Sequence, residues 1–274
     1  MKHALILAIV LATAQPAHAW NGHCHRVIAS IAFQQLEPDR RLELANRIRN
    51  HPRFDADFAQ KMPNEVKDGD DQMRAEWLFQ QAACWPDRVR SLKGKERKRF
   101  HHPTWHYVNQ VLYLTAEDEA EIGQVDLNLS PDPPDEQTEK MNVVQTIEFA
   151  KLRVSGEVET TPENDALMIC WLLHCYADLH QPLHSTAMFS RTLFPDGCRG
   201  GNRIPTKQGR NLHSLWDNLL GKDNDFRACR NEAIKMRNDK TFGTVGSEAA
   251  KEIGTVEVWN QSCLLYTSPS PRDS

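Results

Sequence analysis

The stretch "TPENDALMICWLLHCYADLHQPLH", residues 161–184, decides how this chain folds. Thr161 is a good helix N-cap, Pro162 suits the first helical position, and Glu163 and Asp165 place negative charge in the first turn. The run that follows is apolar on nearly every side and is closed by Gln181-Pro182, because the residue before a proline is driven out of the helical region. A helix over 162–180 is predicted, too apolar to lie in solvent. It nevertheless carries His174 and Asp178 at i, i+4, on one face, with His184 just past the proline. Buried polar groups need partners, so these residues point inward to others of their kind.

Working outward, helical periodicity recurs at 25–36 ("HRVIASIAFQQL"), 38–50 ("PDRRLELANRIRN"), 141–154 ("MNVVQTIEFAKLRV") and 211–221 ("NLHSLWDNLLG", closed by Gly221). Residues 128–139, with three prolines, and the glycine-rich 194–209 read as loops. Strands are hard to find and no repeat is visible. The fold class expected is mainly α, in a single domain.

The ends are expected to lie outside that domain. Residues 1–19 have a basic start, a short apolar run and a small-x-small end, the pattern of a secretory signal peptide cleaved after Ala19. The mature chain is then exported, to the periplasm or beyond. No later stretch reaches the ~20 apolar residues that a membrane span needs. The tail "CLLYTSPSPRDS", 263–274, is translated from what resembles a transposase adapter used in sequencing libraries. It is expected to be an artefact on a domain of 20–262 whose natural frame runs on past Ser262.

The net charge is −4, which argues against a generic nucleic-acid binder, since such binding rests on Lys and Arg neutralising phosphates. A phosphate site would need local positive charge, which metal ions can supply. Six cysteines precede the tail. Cys198 and Cys229, in polar and loop-like surroundings, are the expected disulfide pair, while Cys170 and Cys175 read as packed thiols in an apolar helix. No CxxC is present, so a thiolate metal site is not expected.

A second His-x3-Asp pair, His213 and Asp217, repeats the spacing of His174 and Asp178 on another helix. Two such pairs form a nitrogen- and oxygen-rich set that suits catalytic zinc rather than a structural thiolate site. "ACWPDRVR" and "HHPTWHYVN" add Asp87, Arg90 and His106. Taken alone, these read first as a helix cap, a surface charge and a core histidine. His51, His101, His102 and His180 are read as surface residues.

The motifs "WNGHCH", "CWPDRVR", "TWHYVN", "HCYADLHQPLH", "GGN" and "NLHSLWD", in that order, resemble the zinc-dependent nucleases of the S-one/P-one type, over Trp20 to about Trp259. The resemblance implies the helical fold shared with zinc-dependent phospholipase C and a cleft floored by three zinc ions. One zinc would take Asp87, His106, His174 and Asp178. A second would take the Trp20 amine and carbonyl, His25 and a bridging Asp178. The third would take His184, His213 and Asp217. Signal-peptide cleavage would then create a ligand, because an α-amine with a pKa near ~7.7–8.0 can bind metal and an amide nitrogen cannot.

The implied activity is hydrolysis of single-stranded DNA and RNA to 5′-phosphonucleotides, with 3′-nucleotidase activity, by a monomer with no membrane role. Metal-lowered water pKa would supply the nucleophile. Asp87 would orient that water or take its proton, and Arg90 would hold the phosphate. Tyr107 would stack a base, with Asn109 and Asn202 as further substrate contacts. Asn109 stands where some relatives have aspartate. A phospholipase C on the same cluster, or a zinc-scavenging protein, are the alternatives. The family also continues beyond the equivalent of Trp259 through a final helix that this sequence does not show.

Overall fold

A computed structural model describes residues 20–241. The expected leader, the tail from Cys263 and the last part of the expected 20–262 domain lie outside the described residues. The principal helices are α1 (Gly22–Gln35), α2 (Pro38–Ile48), α3 (Asp71–Arg88), α4 (Gly94–Phe100), α5 (Val143–Val154), α6 (Pro162–Leu179), α7 (Leu212–Asp217) and α8 (Phe226–Asn238). None is long and apolar enough to cross a membrane.

Side-chain caps start four of the helices that the pattern predicts. Asn21 accepts from Cys24 N at the head of α1, and Thr161 from Asn164 N at the head of α6. Asn142 with Gln145, and Asn211 with Ser214, form reciprocal capping boxes on α5 and α7. Helices α3 and α6 pack side by side at the centre, α1 and α2 on α3, α5 on α6, and α8 on α1. A helix apolar all round belongs inside such a layer. Residues Ala166–Trp171 of α6 and Ala75–Pro86 of α3 are all buried. Trp85, Trp105 and Trp171 are the largest fully buried side chains.

Two short strands, Gln110–Tyr113 and Thr186–Phe189, pair in parallel with Gln110 opposite Thr186. The first begins four residues after His106 and the second two residues after His184, both expected ligands. Val108 N donates to His184 O at 2.9 Å just before the ladder begins. This small sheet therefore holds the two histidines together.

Three expectations are corrected. The helix expected over 211–221 stops at Asp217. The Asn21 amide donates to Asn218 Oδ1 (2.9 Å) and Gly221 O (2.6 Å), so the tie to α1 overrides local propensity. Cys198 and Cys229 do not pair, and all six cysteines among the described residues are free and buried. Cys198 Sγ accepts from Met188 N (3.1 Å) and Gly201 N (3.3 Å), whereas Cys229 lies in the first turn of α8 and donates to Asp223 O (3.2 Å). Each sulfur is committed to its own neighbourhood. His51 and His102 are buried rather than superficial, on Trp85 and Trp105 respectively with ring centroids 4.3 and 4.0 Å apart.

Trp171 packs on Trp105 (4.7 Å) and on the His106 ring (5.3 Å). Trp171→Ala should cost about 3–5 kcal/mol, as large-to-small core changes do. That corresponds to a melting temperature lower by roughly 6–20 °C for a chain of this size. Thermal unfolding of the metal-loaded protein measures it, and a drop under about 4 °C would show that this tryptophan is not a keystone of the core.

Candidate metal centre

His174 and Asp178 project from α6 one turn apart, both fully buried. His174 Nε2 lies 3.0 Å from Asp178 Oδ2 and 2.9 Å from His106 Nδ1, and His106 Nδ1 lies 3.1 Å from the same carboxylate oxygen. Helix α1 adds His25, whose ring stacks on His174 at 4.0 Å with Nε2 3.5 Å from Asp178 Oδ1. The last turn of α3 adds Asp87, with Oδ1 3.9 Å from His174 Nε2 and 4.0 Å from His106 Nδ1. His184 sits in a helical turn, Pro182–Ser185, and α7 carries His213 and Asp217. Three groups have donor atoms within 4.8 Å of one another: His25, Asp87 and His174; His106, His174 and Asp178; His184, His213 and Asp217. Trp20 is half-buried, and the peptide N–H that follows it, on Asn21, donates to Asp217 O at 3.1 Å.

The hydrogen bonds around these rings decide which nitrogens carry protons. His174 Nδ1 contacts Ala83 O at 2.8 Å, His184 Nδ1 contacts His106 O at 2.5 Å, and His213 Nδ1 contacts Gly200 O at 2.6 Å. A carbonyl can only accept, so each Nδ1 is the donor and each neutral ring presents an Nε2 lone pair. His184 Nε2 and His213 Nε2 then face each other at 3.2 Å, lone pair to lone pair. That arrangement is repulsive without a cation between them. Both nitrogens of His25, His106 Nε2 and Asp178 Oδ1 are likewise buried without a hydrogen-bond partner. The donor set fits a divalent metal of zinc type, and the backbone acceptors are the orienting partners that metal-bound histidines require.

Electrostatics point the same way. Burial drives the pKa values of His25, His106 and His184 well below the ordinary imidazole range, so these rings are neutral and able to ligate. His174 differs: burial disfavours its charge, but Asp178 and Asp87 outweigh it and raise its pKa. Burial raises Asp178 to about 6. It raises Asp217 to about 8, with the charges of Asp178 and Asp87 adding to the effect.

Two supports escaped the sequence reading. Gln181 is fully buried; its amide donates to Asp217 Oδ1 (3.0 Å) while its Oε1 accepts from Leu183 N (2.6 Å). Gly200 supplies the carbonyl that orients His213. Its φ is +54°, and a Cβ there would lie 2.1 Å from Leu183 O, so only glycine fits.

Above the cluster opens a cleft of about 490 Å³, whose wall includes Arg90, His101, Tyr107, Asn109, Arg199 and Asn202. Arg90 Nη2 is 2.7 Å from Asp87 Oδ1. Tyr107 is half-buried, and Asn109 has φ of +24°, in the left-handed region that asparagine tolerates. The Asn202 amide donates to Arg199 O at 2.9 Å, so it braces the loop it stands on. Arg199 was not singled out from sequence, and His101, read there as a surface residue, is half-buried on the cleft wall. Nothing in the local pattern of either reveals that the chain folds it over the cleft.

A protonated carboxylate must lose its proton to bind metal. With Asp217 near 8, chelator-treated protein at pH 7 should release at least about one proton per chain on zinc binding. The release should diminish above about pH 9, as Asp217 is then already ionised. Calorimetry in buffers of different ionisation enthalpy reads this directly, and zero release at pH 7 would contradict the buried, protonated Asp217.

A family model described as S1/P1 nuclease matches residues 20–266. No curated protein matches the chain.

Proposed function

The chain belongs to the S1/P1 nuclease family, and from that premise we propose that it is an exported, zinc-dependent phosphodiesterase. It cuts single-stranded DNA and RNA to 5′-phosphonucleotides and also hydrolyses 3′-nucleotides. The observation that carries this reading is the facing pair of His184 and His213 lone pairs in a buried His/Asp cluster beneath an arginine-walled cleft.

Three zinc ions are proposed. The first is held by Asp87, His106, His174 and Asp178, and the second by Trp20 through its amine and carbonyl, with His25 and a shared Asp178. The third is held by His184, His213 and Asp217. Bound there, zinc neutralises phosphate charge and makes water acidic enough to act as nucleophile near neutral pH.

The chain's own groups do the rest. Asp87, at the cluster's edge and paired with Arg90, orients the attacking water and accepts its proton. As the new P–O bond forms, the bond from phosphorus to the 3′ oxygen breaks, and that oxygen takes a proton from solvent and leaves as the 3′ hydroxyl. Arg90 donates to the phosphate oxygens, where charge grows in the transition state. Tyr107 offers a stacking face, which requires an unpaired base and so favours single strands. Asn109 and Asn202, on the cleft wall, are the proposed further contacts to base or phosphate. Two arginines and two asparagines on the cleft wall favour a nucleotide over a lipid. A single chain supplies the whole cluster, which supports action as a monomer.

The leader-processed protein should contain three zinc ions by elemental analysis and cut single strands well ahead of duplex. Asp87→Asn should lower kcat at least ~10²-fold, the low end for a positioned base, while Tyr107→Ala should raise KM more than it lowers kcat. One zinc or none in active protein, or equal rates on single and double strands, would overturn the reading.

The role of Trp20 has its own test. A form with a retained Met before Trp20 has an amide in place of the amine. It should keep the zinc of His184, His213 and Asp217, lose that of His25, and be nearly inactive until a protease exposes Trp20. Full activity in the Met-extended form would remove Trp20 from the ligand set.

A further inference from the structure

We propose that residues Lys93–Arg99, comprising most of α4, form a second nucleic-acid subsite that tracks the phosphates of a single strand beyond the scissile bond. This rests on the nuclease reading. Five of those seven residues are basic (Lys93, Lys95, Arg97, Lys98 and Arg99) in a chain whose net charge is −4. All five are exposed.

A structural role does not account for all of them, although the Arg99 guanidinium packs over the Phe100 ring at 4.9 Å. Cations in the last turn, Arg97 to Arg99, complement the helix dipole, but Lys93 at the N-cap and Lys95 in the first turn oppose it. Lys93 with Arg97, and Lys95 with Arg99, are like charges at i, i+4, which destabilise a helix. The acidic residue of the run, Glu96, is already engaged by Arg53. Among the described residues no carboxylate lies within ion-pair distance of Lys93, Lys95, Arg97 or Lys98, whereas Arg47, Arg53 and Arg230 are each paired.

The ridge is also continuous with the cleft. Arg97 and Lys98 wall a second hollow of about 360 Å³ together with Gly94, His101, Pro103 and Glu139. His101 and Pro103 line the catalytic cleft as well. The charges of Arg97 and Arg90 both depress the His101 pKa, behind burial as the larger cause. A strand leaving Arg90 therefore passes His101 onto Arg97 and Lys98. Glu139 is the one opposing charge on this wall, and it leaves a positive excess.

The test uses leader-processed, zinc-loaded protein with the three changes Lys95→Ser, Arg97→Ser and Lys98→Ser. A charge-keeping control carries Lys95→Arg, Arg97→Lys and Lys98→Arg. Two readouts are compared: fluorescence anisotropy of a phosphorothioate single strand of about 25 nucleotides, and hydrolysis of a dinucleotide. The serine variant should bind the long strand about 10-fold more weakly at low salt, with its log–log salt slope shallower by about 2, near 0.7 per lost contact. Its dinucleotide hydrolysis should match wild type, and the control should match wild type in both assays. Unchanged long-strand binding and slope would overturn the ridge, as would equal losses on the dinucleotide and the long strand. If wild type hydrolyses no nucleic acid, the nuclease reading fails by itself, and the anisotropy comparison still decides the ridge.

Discussion

One carboxylate organises this molecule. Asp178 is wholly buried on an otherwise apolar helix, within 3.7 Å of nitrogen atoms on His25, His106, His174 and His184. A buried charge without partners costs several kcal/mol, a large part of the ~5–15 kcal/mol that stabilises a whole domain. The helix can occupy the core only because other segments converge on it with imidazoles and a second carboxylate. The tryptophan core, the parallel ladder and the capped start of α1 all serve that convergence.

How much of this was legible depends on range. The two His-x3-Asp pairs and the start of α6 are local patterns and survive intact in the structure. Helix α3 was not read, because its buried face includes Glu76, Gln80 and Gln81, and Pro86 lies near its end. Those residues erase the apolar period by which helices are recognised. The four-residue strands are too short to show alternation, and their pairing joins residues 76 positions apart. Gln181 read only as a helix stop, because its bond to Asp217 spans the fold. The proposed cysteine pair failed for a related reason: polar neighbours in sequence imply a loop, yet both sulfurs point inward.

Charge is sorted by depth. Three carboxylates, Asp87, Asp178 and Asp217, lie in the cluster beneath the cleft, whose wall carries Arg90 and Arg199, with α4 beyond. A mildly acidic chain can therefore attract a polyanion through a narrow positive region while the rest of its surface does not. The floor turns positive once divalent ions offset its carboxylates. The field that a substrate meets thus depends on metal occupancy as well as on sequence.

The free cysteines bear on handling the protein. Burial lifts Cys24 to about 11 and Cys229 to about 12, and raises Cys84, Cys170 and Cys175 as well. Such thiols are poor nucleophiles, and no covalent cross-link braces the described residues. A dithiol reductant consequently has no bond to break there. Soft thiolates do compete for zinc, so on the proposed zinc-dependent reading, inactivation by such a reagent would report metal theft rather than redox damage, and zinc, not oxidant, would reverse it.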